Sequence, residues 1–416
     1  MTVSSSRLDL HDVDRFTSST GVHSYHAYPM RLVPQLARML IDEFSHPHDI
    51  VADPFMGSGT VLVEALLAGR NAWGVDVNPV ADLITRAKTS SWNADELSET
   101  ADWFCERLTT SIAQTPVIPW SSLERLRWWF SEENIERLGR ILRLLSDVPG
   151  DFQPFFTCAF SSILKRCSYW SPHSIKPIRS ARRHRVHVLD PIQTIRVQIE
   201  SMRQAHSLTW KTRSEPLRSV RVHRHDARAL PWPDESVDFI LTSPPYLTAY
   251  DYADVFELPL LWLWPGTLMT TRSQIIGTRV VGRRVTKPVL SDIGTRRRIV
   301  EELYVRHPAS GVAAARYFKD LDQCLTEMVR TLRHGGRLAL VLGNSMLRGV
   351  AVPNTTIVEE LLESAGLQRI YRGERRIGAR SLPPWRDPKT GRFRSTGDGS
   401  AVPVYRTESV IIYRKP

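Results

Sequence analysis

The stretch Asp53-Pro-Phe-Met-Gly-Ser-Gly-Thr60 (DPFMGSGT) decides the fold of this 416-residue chain. It follows a short apolar run at residues 50–52 and precedes the helical pattern VLVEALLAG. A second apolar run, NAWGVD, then ends at Asp76. A strand, a glycine turn, a helix and a strand in this order open a parallel α/β sheet, so the sequence predicts a Rossmann-like fold.

The glycine turn itself indicates a ligand with a ribose and no phosphate. Gly57 and Gly59 permit a tight turn and a close approach of the backbone to a ligand. Asp76 lies about twenty residues further on, where a carboxylate can accept a hydrogen bond from a ribose hydroxyl. The third glycine of a dinucleotide fingerprint and the lysine of a Walker loop are both absent. Because Asp53 would repel a phosphate but hold a cationic amino group, S-adenosylmethionine fits this turn better than a nucleotide.

A second motif, Thr242-Ser-Pro-Pro-Tyr246, directly follows the apolar run VDFIL. This position is the carboxyl end of a parallel strand, where open α/β sheets bind their ligands. The two prolines stiffen the loop and remove backbone donors. The Ser243 hydroxyl and the loop carbonyls are left as acceptors, and the ring of Tyr246 is available for stacking on a base. Such a loop suits methylation of an exocyclic amine, because acceptors on the amino protons free the nitrogen lone pair of an extruded base.

No cysteine is predicted to take part in this chemistry. Methylation of cytosine at C5 requires a thiolate nucleophile. None of the four cysteines follows a proline, and none belongs to a Cys-x-x-Cys pair. The histidines show no metal-ligand spacing, and methyl transfer to an amine needs no metal.

The two motifs resemble those of the amino-methylating DNA methyltransferases, which act on cytosine N4 or adenine N6. DPFMGSG is similar to the cofactor motif of that family, and SPPY is similar to its catalytic motif. In the family a serine at the head of the catalytic motif is typical of cytosine-N4 enzymes, whereas Asp or Asn is commoner for adenine. The segment from His26 through Pro34 resembles the motif that closes over the methionine end of the cofactor, and Asp226 matches the carboxylate near the adenine ring.

The resemblance implies a class I S-adenosylmethionine-dependent methyltransferase sheet with a largely helical insertion. The implied cofactor is S-adenosyl-L-methionine. The implied catalytic residues are Ser243, Pro244, Pro245 and Tyr246. The implied cofactor-binding residues are Tyr28, Pro29, Asp53, Pro54, Phe55, Gly57, Ser58, Gly59, Thr60, Asp76, Val77, Asn78, Asp226 and Ala227.

The charge of the chain favours a polyanionic partner, and double-stranded DNA is the one that the resemblance implies. The formal net charge is +11. Candidate phosphate contacts are Lys165, Arg166, Arg182, Arg183, Arg185, Arg283 and Arg284. Solvated charge is the alternative interpretation of the first five. The last two, together with residues 296–298, predict a loop that becomes ordered on DNA.

The patterns predict four parts of the chain and several elements within them. The parts are a flexible N-terminal arm (1–22), a cofactor-binding half (23–92), a helical insertion that is a candidate for DNA recognition (93–215), and a catalytic half (216–416) with a basic insertion near 265–302. Apolar spacing predicts helices over 28–44, 123–145, 152–164, 321–332 and 356–365, and strands over 220–223, 237–241 and 410–413. The helix over 321–332 is expected to end before the glycines at 335 and 336.

The sequence therefore predicts a site-specific DNA methyltransferase of cytosine N4 in a restriction-modification system. A cognate restriction endonuclease or another defence-system component is an expected partner. The chain has no apolar run of membrane-spanning length and no apolar signal segment, so we expect a cytoplasmic protein. Three alternatives stay open: an adenine-N6 DNA methyltransferase, an RNA guanine-N2 methyltransferase with a similar Pro-Pro-Tyr loop, and a non-catalytic DNA-binding subunit. The intact cofactor and catalytic motifs argue against the last of these.

Overall fold

The computed structural model describes most of the chain. The described residues are 10, 20–29, 31–110, 115–180, 188–210, 219–247, 252–277, 294–377, 385–387, 393–394, 402–403 and 407–416. Five candidate phosphate contacts lie outside them: Arg182, Arg183, Arg185, Arg283 and Arg284.

Seven strands form one sheet in the described ranges. They are β1 (Ile50–Asp53), β2 (Asn71–Asp76), β3 (Val220–Arg224), β4 (Val237–Thr242), β5 (Leu332–Leu342), β6 (Gln368–Arg376) and β7 (Thr407–Arg414). Their spatial order is β3–β2–β1–β4–β5–β7–β6. Only β7 runs antiparallel to its neighbours. This order is that of the class I methyltransferase sheet, and the predicted Rossmann-like fold is confirmed.

Both faces of the sheet are covered, which explains why its central strands are apolar at nearly every position. Side chains alternate between the two faces along each strand. Val51 and Phe239 accordingly belong to one apolar cluster, and Ala52 and Ile240 belong to the other. All four are fully buried. The short apolar runs read from the sequence are therefore the buried centre of the sheet.

The first half of the chain supplies eight α-helices among its described residues. They are α1 (Pro34–Phe44), α2 (Thr60–Leu67), α3 (Pro79–Thr89), α4 (Ala94–Thr110), α5 (Leu123–Trp129), α6 (Glu132–Leu145), α7 (Gln153–Ile163) and α8 (Pro191–Trp210). Helix α7 packs against α3 and α8. The largely helical insertion is thus attached to the cofactor-binding half of the sheet.

The second half supplies six more α-helices in the described part. They are α9 (Tyr252–Val255), α10 (Glu257–Leu263), α11 (Leu268–Gln274), α12 (Thr295–Arg306), α13 (Pro308–Thr331) and α14 (Asn354–Ser364). Short strands pair at Ser345–Leu347 with Val350–Val352, and Trp385–Arg386 pairs with Phe393–Arg394 and Val402–Pro403. No helix in these ranges has the length and apolar character needed to cross a membrane.

A buried carboxylate joins the insertion to the segment that follows β4. Glu257 on α10 is 2% exposed. It accepts a hydrogen bond from Trp129 Nε1 at 3.1 Å and forms an ion pair with Arg125, both on α5. Because α10 comes shortly after the catalytic motif in the chain, this contact brings the insertion beside the carboxyl end of β4.

Proline and capping residues explain two helices that differ from their predictions. The helix expected over 28–44 begins only at Pro34, because Val33 before the proline is extended and proline suits the first helical position. The helix expected over 123–145 is two helices. Phe130 between them is extended, and the Ser131 hydroxyl caps α6 by accepting from the Asn134 amide at 3.2 Å.

Three further predictions were wrong in part. Helix α13 begins at Pro308, well before the predicted 321, and β5 begins at Leu332, so the glycines at 335 and 336 lie inside a strand. The arginines at 296–298 belong to α12 instead of a loop. In the segment expected to be a loose arm, Leu10 and Val22 are 4% and 0% exposed, because both pack into an apolar cluster.

Candidate active site

The two motifs meet where the strand order of the sheet reverses. Strand β1 pairs with β2 on one side and with β4 on the other. After β1 the chain continues to β2 and β3 on one side of the sheet, and after β4 it continues to β5 on the other side. The carboxyl ends of β1 and β4 therefore flank the topological switch point, at which open α/β sheets bind ligands. Asp53 ends β1, and Thr242 ends β4. The cofactor and catalytic motifs therefore share one crevice.

A hydrogen bond ties the two motifs together. The Thr242 hydroxyl donates to Asp53 Oδ1 at 2.6 Å, and the Phe55 amide donates to the same oxygen at 3.0 Å. Among the described residues, no hydrogen bond reaches Asp53 Oδ2, so this oxygen is left as an acceptor for a ligand. Burial raises the pKa of Asp53 to about 7, and Asp76 nearby adds to the shift against the two hydrogen bonds.

The glycine turn adopts backbone conformations that favour glycine. Gly57 has φ +48° and Gly59 has φ +72°. The Gly57 amide donates to Asp76 Oδ2 at 3.1 Å, and the Asn78 amide donates to Asp76 Oδ1 at 2.9 Å. Burial raises the pKa of the half-buried Asp76 to about 6. The turn and the end of β2 thus hold a second carboxylate beside the first.

A cavity of about 850 Å³, part of it open to solvent, lies over these residues. It brings together most of the residues predicted from the sequence: Tyr28, Asp53, Pro54, Phe55, Gly57, Ser58, Thr60, Asp76, Val77, Asn78, Asp226, Ala227, Ser243 and Pro245. Four predicted residues do not line it: Pro29, Gly59, Pro244 and Tyr246.

Aromatic rings close one side of the cavity. The ring of Tyr28 stacks on that of Tyr252 with centroids 6.2 Å apart, and it contacts Phe256 at 5.0 Å. A Cβ atom placed on Gly57 would lie 3.2 Å from the Tyr28 ring. Glycine at this position therefore lets the ring cover the turn closely.

The catalytic motif presents one hydroxyl to the cavity. Ser243 Oγ donates to the Val341 carbonyl of β5 at 3.0 Å, which fixes its proton and leaves the oxygen to act as an acceptor. The Pro245 carbonyl accepts from the Tyr317 hydroxyl at 3.1 Å. Tyr246 packs over Gly343, where a Cβ would lie 3.2 Å from its ring. Burial raises the pKa of Tyr246 above its ordinary value, against hydrogen bonds with Ser243 and the Gly343 backbone.

An arginine holds the cavity carboxylate that follows β3. Arg228 donates to both oxygens of Asp226, at 3.0 Å from Nε to Oδ1 and 2.6 Å from Nη2 to Oδ2. It also donates to Asp320 on α13 at 3.0 Å. These hydrogen bonds lower the pKa of Asp226 in spite of its partial burial, so Asp226 is ionised at neutral pH.

Nine further residues line the cavity that were not among the predicted site residues. They are Arg31, Leu32, Met56, Val61, His225, Tyr252, Gln274, Ile275 and Ile276. Most are chain neighbours of predicted residues and could have been found by extending each motif by a few positions. The segment 274–276 carries no motif; only the fold brings it over the switch point.

The two described candidates for DNA contact, Lys165 and Arg166, make different contacts within the protein. Lys165 Nζ donates to the Ser174 carbonyl at 2.9 Å and lies 6.0 Å from the centre of the Trp170 ring, so it stabilises its own loop. Arg166 is exposed and donates to Gln198 at 2.7 Å. Of these two, Arg166 is the better candidate for a phosphate contact.

The Gly59→Ala substitution is expected to weaken ligand binding and to destabilise the protein by about 2 kcal/mol or more. The left-handed backbone costs an alanine about 1–2 kcal/mol, and the new Cβ would also lie 2.8 Å from the side chain of buried Thr85. Gly69→Ala is a matched control, because Gly69 has φ +76° and no atom within 4 Å of its Cβ position. Thermal unfolding with and without ligand measures both effects. Equal losses of stability in the two variants would contradict the steric part of this prediction.

Comparisons with known proteins agree with the family that the motifs resemble. Residues 7–85 match the model of a DNA methylase family of the N6/N4 type. The chain is 24% identical to the Type II methyltransferase M.MvaI of Kocuria varians, over 88% of this chain and 86% of that protein. It is 23% identical to the Type II methyltransferase M.BsoBI of Geobacillus stearothermophilus, over 86% of this chain and 81% of that protein.

The similarity to solved structures is weaker. A SAM-dependent methyltransferase of Methanosarcina mazei aligns over 94% of this chain and 98% of its own, with 11% identity and a TM-score of 0.33. The assignment of the fold therefore rests on the strand order of the sheet.

Proposed function

We propose that this chain, whose residues 7–85 match a DNA methylase family of the N6/N4 type and which is similar to two Type II methyltransferases, transfers a methyl group to cytosine N4 at a specific site in double-stranded DNA. The observation that carries the choice of cytosine is the side chain of Ser243 on the cavity wall, with its proton donated to the Val341 carbonyl. The test is to incubate the protein with S-adenosylmethionine and unmodified DNA and to identify the methylated nucleoside by mass spectrometry.

The cavity fits S-adenosylmethionine by the chemistry of its donors and acceptors. Asp53 Oδ2 is an acceptor without a described partner, suited to the ammonium group of the ligand. Asp76 keeps lone pairs for a ribose hydroxyl, and Tyr28 covers the turn on which the amino-acid part would lie. Asp226 lines the same cavity, and the resemblance assigns it to the adenine ring. When bound, this cofactor supplies an electrophilic methyl group.

The chain's own contribution to the reaction is to orient the amine. Ser243, on the cavity wall, accepts from one amino proton of an extruded base. The Pro244 carbonyl, which has no described donor although Pro244 itself does not line the cavity, is the proposed acceptor for the other proton. These hydrogen bonds strengthen as the nitrogen becomes tetrahedral, so they favour the transition state over the ground state. The four cysteines are poor nucleophiles here, since burial raises the pKa of Cys158 and Cys167 to about 12 and raises those of Cys105 and Cys324 as well.

The affinity for S-adenosylmethionine is expected to fall as the pH is lowered from about 7.5 to about 5. The pKa values of Asp53 and Asp76 are raised to about 7 and about 6. Below those values the carboxyls are protonated, so Asp53 no longer attracts the ammonium group and Asp76 becomes a weaker acceptor for the ribose hydroxyl. Each group weakens binding by at most about tenfold per pH unit. Calorimetric titration measures this profile, and Asp53→Asn should remove its upper part. A flat profile over this range would exclude Asp53 from the ammonium contact and Asp76 from the ribose contact.

DNA affinity is expected to depend steeply on salt, because the basic residues neutralise backbone phosphates. Each phosphate contact contributes about 0.9 to the slope of log affinity against log salt. Neutralising Arg182, Arg183 and Arg185 together is expected to reduce that slope by up to about 2.7. Replacing Arg38, Arg140 and Arg306 by glutamine is the control, since each pairs with a carboxylate on its own helix. An equal change in both triple variants would show a general charge effect and place the segment 182–185 away from DNA.

We also propose a restriction endonuclease of the same target sequence as a partner in the cell. The Type II designation of the two similar methyltransferases supports this proposal. DNA methylated by this protein should then resist a nuclease that cleaves the unmodified site. If no nuclease encoded beside this gene is blocked by the modification, the partnership is excluded.

A further inference from the structure

One face of α3 supports the glycine turn from behind. Thr85 and Lys88 are three residues apart, so they lie on the same side of the helix. Both are 0% exposed. Thr85 Oγ1 donates to the Gly57 carbonyl at 3.2 Å, and Lys88 Nζ donates to the Ser58 carbonyl at 3.0 Å. Two successive carbonyls of the turn are therefore bound by side chains that do not reach the cavity themselves.

These bonds determine where the amides of the turn point. In a trans peptide the C=O and the N–H point in opposite directions, and the described chain contains no cis peptide. With the Gly57 carbonyl directed at Thr85, the Ser58 amide points away from α3. Gly57 and Ser58 line the cavity, and no described residue accepts a hydrogen bond from the Ser58 N–H. The Gly59 amide is engaged within the turn, donating to the Met56 carbonyl at 2.7 Å.

Burying Lys88 at this position lowers the stability of the fold. Its ammonium is out of contact with water, and no carboxylate of the described residues pairs with it. An unpaired buried charge destabilises the fold. Burial lowers the pKa of Lys88 to about 7, and the positive charge of Arg31 lowers it further. An apolar side chain would fill this space without that loss of stability. We therefore infer that the Lys88 amine is present for its hydrogen bond to the Ser58 carbonyl.

We propose that Thr85 and Lys88 are positioning residues that present the Ser58 amide to the carboxylate of the ligand's amino-acid part. This inference rests on the proposed binding of S-adenosylmethionine and assigns the end of the cavity that its carboxylate occupies. Lys88, bound to the Ser58 carbonyl of the next peptide, fixes the other side of the same residue. Neither side chain touches the reacting methyl group, so their effect is on binding.

The variants Thr85→Val and Lys88→Met remove the donors while keeping similar volumes. Each is expected to raise the KM for S-adenosylmethionine about three- to tenfold, the range of one lost hydrogen bond, and to leave kcat within about twofold. Thr85→Ser should restore the wild-type KM. Thr89→Val is the matched control, since the Thr89 hydroxyl bonds only to the Thr85 carbonyl within α3.

Two inhibitors show whether the loss of affinity depends on the amino-acid part of the ligand. S-adenosylhomocysteine carries the carboxylate, and 5′-methylthioadenosine lacks the amino-acid part. Thr85→Val and Lys88→Met should weaken the first and leave the second unchanged. Equal weakening of both, or an unchanged KM in well-folded variants, would overturn the inference. Failure of the proposed function is distinct, because the wild-type protein would then bind no S-adenosylmethionine at all.

Discussion

Asp53→Asn is expected to lower the affinity for S-adenosylmethionine about ten- to 150-fold and to leave the ligand-free protein at least as stable as the wild type. The loss of affinity follows from the removal of a charge-assisted hydrogen bond to the ligand's ammonium, worth about 1.5–3 kcal/mol. The asparagine carbonyl can still accept from the Thr242 hydroxyl and the Phe55 amide, as Asp53 Oδ1 does. The amide nitrogen then takes the place of Oδ2, which has no described partner.

The stability of the variant follows from the sign of the pKa shift. The pKa of Asp53 is about 7 in the folded protein and ordinary, about 4, in the unfolded chain. A raised pKa means that ionised Asp53 destabilises the fold, and this penalty grows as the pH rises from about 4 to about 7 and is constant above. Asparagine carries no such penalty. The advantage of the variant in ligand-free stability is therefore expected to be largest near pH 8 and to shrink toward pH 5.

Thermal unfolding at several pH values, with and without S-adenosylmethionine, measures both effects. The ligand should raise the Tm of the wild type by mass action and raise that of the variant much less. Asp42→Asn is the control, because Asp42 lies on α1 outside the cavity and pairs with Arg38. A variant that binds as tightly as the wild type would remove Asp53 from the ammonium contact. A large loss of ligand-free Tm would instead show that Asp53 has a structural role.

The centre of the sheet could be predicted because the apolar pattern of each strand agrees with the burial that the whole fold gives it. The runs that became β1 and β4 are apolar on both faces, which only a covered parallel sheet requires. Asp53 and Ser243 were found for the same reason: each directly follows such a run, and ligands bind at the carboxyl ends of strands. Nearly all the residues predicted around Asp53 line the cavity.

What the sequence could not predict depends on contacts distant in the chain. The hydrogen bond from Thr242 to Asp53 joins residues 189 positions apart, and no local pattern marks it. The start of β5 was missed because Gly335 and Gly336 read as a helix stop, whereas pairing of Leu332 with Val237 extends the strand past them. Tyr246 was predicted to face a base, but the missing side chain of Gly343 lets its ring pack outside the cavity lining. Tyr252 lines the cavity, although neither of the two motifs includes it.

Ser243→Ala is expected to lower kcat on the order of a hundredfold, as removal of one preorganised hydrogen-bonding group does in other enzymes, with little change in DNA affinity. The hydroxyl donates to the Val341 carbonyl and accepts from the substrate amine, and alanine can do neither. Because the bond to the amine strengthens in the transition state, the loss should appear in kcat more than in binding. Ser243→Asn supplies another acceptor oxygen and should retain part of the activity. Ser146→Ala, an exposed serine outside the cavity, is the control.

The identity of the product decides between the chemistries that this site allows. Nucleoside mass spectrometry of DNA methylated by the wild type is expected to show N4-methylcytosine, and the same product should appear when all four cysteines are replaced. Finding N6-methyladenine would move the target to the other base and keep the role of Ser243, since both amines need an acceptor for their protons. Finding 5-methylcytosine would overturn the proposal altogether, because carbon methylation requires a thiolate and burial holds the thiols of this chain in their protonated form.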